Sequence, residues 1–253
     1  KAVVYETSTF ISKYGPTPQP NSQGSKELRD FDAGSILTAY GQGDLLIDVT
    51  ADQILSLVKC FDGPVLTFAP WTAGRTILEL TALTAWLFDP EIDACTRVKR
   101  SYAFRFEGLS QQARFGRVAG LDQGEGKLRI LQVVAEAKAV GIDEVTDKKT
   151  GKLKGIGQRF PNTTELIGLE LHQEDNYRLF SAFIHGHPWA IQQLSYEITS
   201  KEGPNCDPLV KNAHVLKKSI KPNSVVALCF SSANAFSLAL GFGVRPCIMH
   251  FRD

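Results

Sequence analysis

The sequence predicts an all-α protein, a single helical bundle preceded by an irregular N-terminal arm. Three observations carry this. Apolar residues recur at intervals of three and four from Ala33 onward, punctuation of helix type separates the periodic segments, and an apolar content of 43% over 253 residues supplies a substantial core. Long strands are not expected. The arm is assigned to residues 1–32 and the bundle domain to residues 33–253.

Taken in chain order, residues 11–32 hold Gly15, Pro16, Pro18, Pro20 and Gly24 among many polar side chains, a composition that favours a tether over a regular element. The first periodic segments contain Ile36, Leu37 and Tyr40, then Ile54, Leu55 and Val58. Next, Trp71 to Phe88 places Ile77, Leu80, Leu83, Thr84 and Leu87 on one stripe. This helix should stop at Asp89-Pro90, because proline disfavours helix at the residue before it. Near Asp93 a further helix opens and runs through Arg117. It carries Arg97, Lys99, Arg100, Arg105, Arg114 and Arg117 against Asp93 and Glu107, the densest positive character in the chain. Such a helix is either a solvated face or a phosphate-facing surface, with Arg97 and Arg100 as candidate substrate-binding residues.

Lys127 to Val140 repeats the helical spacing through Leu128, Ile130, Leu131 and Val134, and Gly141 to Arg159 then turns polar and glycine-rich. Within it, Asp147-Lys148-Lys149-Thr150-Gly151-Lys152 reads as a surface turn. Thr163-Thr164-Glu165 offers a start signal for the helix leading into residues 177–186. Pro188 should end or kink that helix, with His187 capping a following helix that begins at Pro188. From Pro222 to Val244 no charged residue occurs. Because Ser224, Ser231, Ser232, Asn234, Ser237, Gly241 and Gly243 interrupt the apolar text, the expectation is a central bundle helix near 224–241 and no membrane span.

Twenty-eight basic against 27 acidic side chains leave a net charge of +1, so any RNA site must be a local patch. Five widely separated cysteines without a Cys-x-x-Cys pair suggest reduced thiols. With no secretory pattern in Lys1 to Phe10, a cytoplasmic location is expected. The sequence has no Gly-x-x-x-x-Gly-Lys-[Ser/Thr] loop, no Gly-x-Gly-x-x-Gly after a strand and no Gly-x-Ser-x-Gly elbow, which disfavours nucleotide-driven and hydrolase-fold chemistry.

The densest chemical signal lies in Tyr177-Arg178-Leu179-Phe180-Ser181-Ala182-Phe183-Ile184-His185-Gly186. Seven helical steps return almost to the same face, about 10.5 Å further along the axis, and helical side chains lean toward the N-terminus. Arg178 and His185 are thereby able to bracket one phosphate. RNA cleavage suits such a pair: a 2′-hydroxyl loses a proton, which histidine exchanges near neutral pH, and the charged intermediate needs a fixed cation that forks onto phosphate oxygens. At a helix C-terminus, position 185 also favours positive charge. His185-Gly186-His187 is a poor metal pair, since its rings point to different helix faces and no Cys or acidic cluster completes a ligand set; no metal and no cofactor are expected.

The spacing of Arg178 and His185, within Tyr-Arg-x-x-Ser-x-x-x-His-Gly, resembles the motif of the HEPN superfamily and is closest to uncharacterised bacterial HEPN-like helical proteins. The resemblance extends over residues 33–243, and its specific part is about ten residues long. Leu179 stands where active members usually carry a polar residue. The resemblance implies a helical bundle, a metal-independent endoribonuclease or RNA-binding protein of a bacterial defence or toxin system, and a homodimer in which two motifs meet. It assigns catalysis to Arg178 and His185, with Tyr177 and Ser181 supporting and His187 at the substrate. An early helix often contributes polar residues in such proteins, which would bring Glu79 and Arg75 near Arg178; the bland reading of that i,i+4 pair is a structural ion pair. Two other classes stay open. One is a catalytically silent interaction module with a small protein partner, and the other a small-molecule enzyme using Arg178 as an anion clamp.

Overall fold

Four helices of this chain begin where a short polar side chain takes over free backbone donors of the first turn. In the computed structural model, which describes residues 20–63, 66–120, 124–194, 196–199, 215–218 and 222–248, four side chains do this. Ser22 caps α1 (Gln23–Asp30), Asp32 caps α2 (Ala33–Lys59), Asp93 caps α4 (Ala94–Val118) and Asn162 caps α6 (Thr163–Leu171). The Asp32 carboxylate accepts the Ser35 N–H at 2.8 Å and that of Asp93 accepts the Thr96 N–H at 2.7 Å. Bonds from the Ser35 backbone and side chain hold the Asp32 carboxyl below the usual carboxylate range, and bonds from the Thr96 side chain and backbone do the same at Asp93.

The remaining elements are α3 (Ala69–Phe88), α5 (Gly124–Ala139), β1 (Glu144–Thr146), β2 (Leu153–Ile156), α7 (Glu174–Ile184), α8 (Pro188–Leu194), β3 (Tyr196–Thr199), β4 (Val215–Lys218) and α9 (Pro222–Ile248). The fold is an all-α bundle carrying two small two-stranded antiparallel sheets. In the first, Glu144 pairs with Ile156 and Val145 with Gly155, a bulge follows, and Thr146 meets Leu153; in the second, Tyr196 pairs with Lys218. The expected surface turn at 147–152 is the tip of the β1–β2 hairpin, closed by Asp147, whose carboxylate accepts the Thr150 N–H at 2.9 Å.

Helix α3 is the axis of the bundle. It packs most extensively on α2 and α9, and also receives α6 and α7. Trp71, Ile77, Leu78, Ala82 and Leu87 join Leu166, Phe180, Phe183 and Leu228 in one apolar cluster, while Phe88 joins a second with Ile36, Tyr40, Val98, Val134 and Ile156. Two glycines set the spacing. A Cβ on Gly43 would lie 2.2 Å from the Phe88 ring and one on Gly74 would lie 2.3 Å from Leu228, so α2 and α9 approach α3 only because these side chains are missing.

Several expectations are corrected. The arm is not irregular to residue 32: α1 forms over Gln23–Asp30 because Ser22 caps it, and it buries Glu27 against α4; residues 1–19 lie outside the described residues. The helix starting at Thr163 does not run into the motif. It stops at His172, which adopts φ 54°, and α7 starts afresh. Helix α9 is one-sided rather than central, with Leu228, Ser231, Ser232, Ala235, Phe236 and Ala239 inward and the opposite side in solvent. Among the described residues, Pro222–Phe242 is long and apolar enough to cross a membrane by length and composition, with 33% of that window buried. The thiols of Cys60, Cys95 and Cys229 are free.

Candidate functional site

Helix α7 is amphipathic, and its sequence alone decides which way the motif faces. Tyr177, Phe180 and Phe183 recur at three and turn inward, where both phenylalanine rings stand 5.6 Å from Trp71 and the Phe68 ring lies tilted 5.1 Å from Phe183. Arg178 is thereby turned outward; its side chain is 67% exposed. Its guanidinium bonds Glu174, one turn earlier, through Nε and a terminal nitrogen, both at 2.7 Å. Leu179 rotates the other way and packs against the core, so the position beside the arginine is used for packing.

The C-terminus of α7 presents the histidines. His185 is the last half-turn and donates its N–H to the Ser181 carbonyl at 3.0 Å. Gly186 then adopts φ 74°, its N–H reaches the Phe183 carbonyl and the His187 N–H reaches the Ala182 carbonyl, each at 3.0 Å. This is a Schellman closure, in which glycine supplies the left-handed residue. The helix thus ends at Gly186, before Pro188 is reached. Pro188 instead opens α8, whose first turn bonds back to the His187 carbonyl. His185 and His187 are both exposed, and Ser181 is half-buried on the same helix.

Beneath this face lies a polar cluster that joins α7 to α3. Tyr177 Oη donates to Glu79 Oε1 at 2.9 Å, Arg75 Nε donates to the same oxygen at 3.0 Å, and Arg75 reaches Tyr177 Oη at 3.5 Å. The Arg75 guanidinium also lies 5.5 Å from the centre of the Tyr177 ring. Burial raises the Tyr177 hydroxyl above its ordinary value, opposed by Arg75 and reinforced by Glu79. The structure therefore brings Arg75, Glu79 and Tyr177 together as a structural triad one residue from Arg178, while the direct partner of Arg178 is Glu174. Glu174 was not among the residues singled out in the sequence, although its i,i+4 spacing to Arg178 is a readable signal.

Arg97 and Arg100 are corrected. Arg97 has 0% side-chain exposure; it forks onto both oxygens of Glu27 at 2.9 and 3.1 Å and donates to the carbonyls of Leu87 and Asp89. Arg100 bonds the Trp86 carbonyl and Asp89 and lies over the Trp86 ring at 5.4 Å. Both point toward the end of α3, which demands donors there, and Arg97, wholly enclosed, is out of reach of a phosphate. Clefts of about 380 and 510 Å³ adjoin Arg105 and Glu136 on α4 and α5, on elements other than the motif helix. No family model, no curated protein and no solved structure matches this chain.

Proposed function

We propose that the outer face of α7 is a phosphodiester-binding site for RNA, of HEPN-like type, in which Arg178 holds the phosphate and His185 exchanges the proton without a metal ion. The observation that carries this reading is the pairing of one exposed arginine with one exposed histidine, seven residues apart on a helix whose inner face is fixed by Trp71, Phe180 and Phe183. A rigid support is what a two-point phosphate contact needs. The Glu174–Arg178 pair does not block it. An exposed i,i+4 pair contributes only about 0.3–0.5 kcal/mol, whereas a bidentate arginine–phosphate contact is among the stronger charge-assisted bonds. Leu179 supplies no polar group, so cleavage draws on a second copy of the motif across a homodimer.

The test is incubation with mixed single-stranded RNAs in EDTA, with products read for 2′,3′-cyclic ends. His185→Ala abolishes cleavage and keeps the fold, because the side chain is exposed; Arg178→Lys also fails, since an ammonium keeps the charge and loses the planar fork. Activity that needs magnesium, or that survives His185→Ala, refutes the mechanism. Absence of both binding and cleavage moves the weight to a silent interaction module, the reading favoured by the apolar outer face of α9, where Val226 and Phe230 are exposed.

A further inference from the structure

Helices α4 and α5 pack against each other, and one ion pair bridges the furrow between them. Arg105 of α4 reaches Glu136 of α5 at 3.0 Å, and both residues line a cleft on either side of the pair, one of about 510 Å³ and one of about 380 Å³. The smaller lies within the size range of small-ligand sites and carries the hydroxyls. Ser101 and Arg105, one turn apart on α4, both face it; Asp32 and Ser35 enter from the start of α2, and Ala139 and Val140 supply an apolar wall.

Ser101 points to a ligand. It is 2% exposed, yet among the described residues its hydroxyl has no hydrogen-bond partner. Thr38, Thr50, Thr76 and Thr84 spend theirs on the carbonyl four residues back; Ser101 does not, and it lines the cleft instead. A hydroxyl that deep is costly unless a polar group reaches it. Beside it the Tyr102 and Ser35 hydroxyls lie 3.4 Å apart, longer than the roughly 2.8 Å usual between hydroxyls, so each keeps capacity for another partner.

The charges are of both signs. The Arg105 guanidinium, 5.5 Å from the centre of the Tyr102 ring, meets Glu136 through one terminal nitrogen, and its other N–H groups have no protein acceptor among the described residues. Asp32 accepts the Ser35 N–H and forms no ion pair among the described residues. A phosphate monoester would bring negative charge to a cleft that already holds two carboxylates and one guanidinium. A diamine would set a cation against Arg105, and a neutral sugar would use neither charge. We infer that this cleft binds a small zwitterion, a free α-amino acid, with its carboxylate on Arg105, its ammonium on Asp32, the Ser101 hydroxyl bonded to this polar head, and its side chain against Ala139 and Val140.

The cleft is built by α2, α4 and α5, none of them the motif helix, so binding there is independent of the RNA reading. Titration of the full chain with each of the common amino acids, followed by ligand-observed NMR, is the direct measurement. The expected result is saturable binding of at least one of them with a Kd below about 1 mM. For that amino acid, N-acetylation, which removes the ammonium, and conversion to the amide, which removes the carboxylate, each weaken binding by about tenfold or more. The variants locate the two ends. Arg105→Gln weakens binding and no longer distinguishes the acid from its amide. Asp32→Asn weakens it and no longer distinguishes the free from the acetylated amine, while α2 stays intact because asparagine caps as aspartate does. Ser101→Ala weakens binding by about threefold or more, with thermal unfolding unchanged, because its hydroxyl has no protein partner to lose. No binding of any amino acid up to about 10 mM, tighter binding of inorganic phosphate, putrescine or glucose, equal binding of acid and amide by the wild type, or wild-type binding in Ser101→Ala each overturns the proposal.

Discussion

Removing the carboxylate of Glu27 tests whether the N-terminal segment is part of the bundle. Arg97 is wholly enclosed and Glu27 nearly so, and the two form a forked pair to which Tyr40 Oη adds a bond to Glu27 at 3.0 Å. In Glu27→Ala the guanidinium stays buried with its principal counter-charge gone, a change that costs about 3–5 kcal/mol. For a chain of this size each kcal/mol shifts melting by about 2–4 °C, so the midpoint should fall by roughly 6–20 °C. Thermal unfolding followed by circular dichroism at neutral pH reads this directly. The double variant Glu27→Leu with Arg97→Met removes both charges and should recover much of the loss. It should still fall short of wild type by about 1–3 kcal/mol, because the carbonyls of Leu87 and Asp89 lose the donors that Arg97 supplies. A midpoint within 2 °C of wild type for Glu27→Ala would show that α1 is not integrated with α4, and full recovery in the double variant would refute the carbonyl argument.

Two further perturbations probe the motif helix and the outer bundle. Tyr177→Phe deletes the hydroxyl shared by Arg75 and Glu79, which should cost about 1 kcal/mol in urea unfolding; no change would mean that water replaces it without loss. Burial, with Asp48 adding to it, raises the Asp44 carboxyl to about 6. A raised carboxyl binds its proton more tightly in the folded state, so its contribution to stability is full at acid pH and is lost as pH rises from about 4 through about 6. Asp44→Asn should accordingly be more stable than wild type at pH 7.5, with the advantage disappearing toward pH 4; urea midpoints showing the same advantage at both pH values would contradict this.

Much of the bundle was legible because helix limits are written locally. Asp93 opening α4, Asp89-Pro90 closing α3 and Pro188 opening α8 each follow from a single cap or ring constraint, and all three stand in the structure. The errors arose where a local signal was outvoted by packing. Gly24 and the polar run after Pro20 look like tether, yet Glu27 lies at helical spacing from Gln23 and finds a buried cation 70 residues away, which no window of sequence displays. The break at His172 was hidden for a related reason. A left-handed histidine is an unfavourable cap, and it is held here between α6, whose Gly168 carbonyl takes its N–H, and Gln173, whose side chain is tied to Ser231 of α9.

The arginines show how far spacing can assign a site. On α4, basic residues look like one stripe, but α3 ends in Trp-Leu-Phe-Asp-Pro with no basic residue in its last turn, so its final carbonyls require donors from elsewhere. Arg97 and Arg100, three apart, supply them to Trp86, Leu87 and Asp89, and this structural demand removes the fully enclosed Arg97 from any surface role. Arg75 is spent in the same manner on Glu79 and Tyr177. Arg178 has no such demand on it: its residue neighbours Tyr177 and Leu179 are the ones that turn inward, and its carboxylate partner is an exposed residue of its own helix. Among the described residues the ion pair of Arg178 is an exposed i,i+4 one, as is that of Arg129 with Glu125, and this difference in demand separates both from the arginines that hold the bundle together.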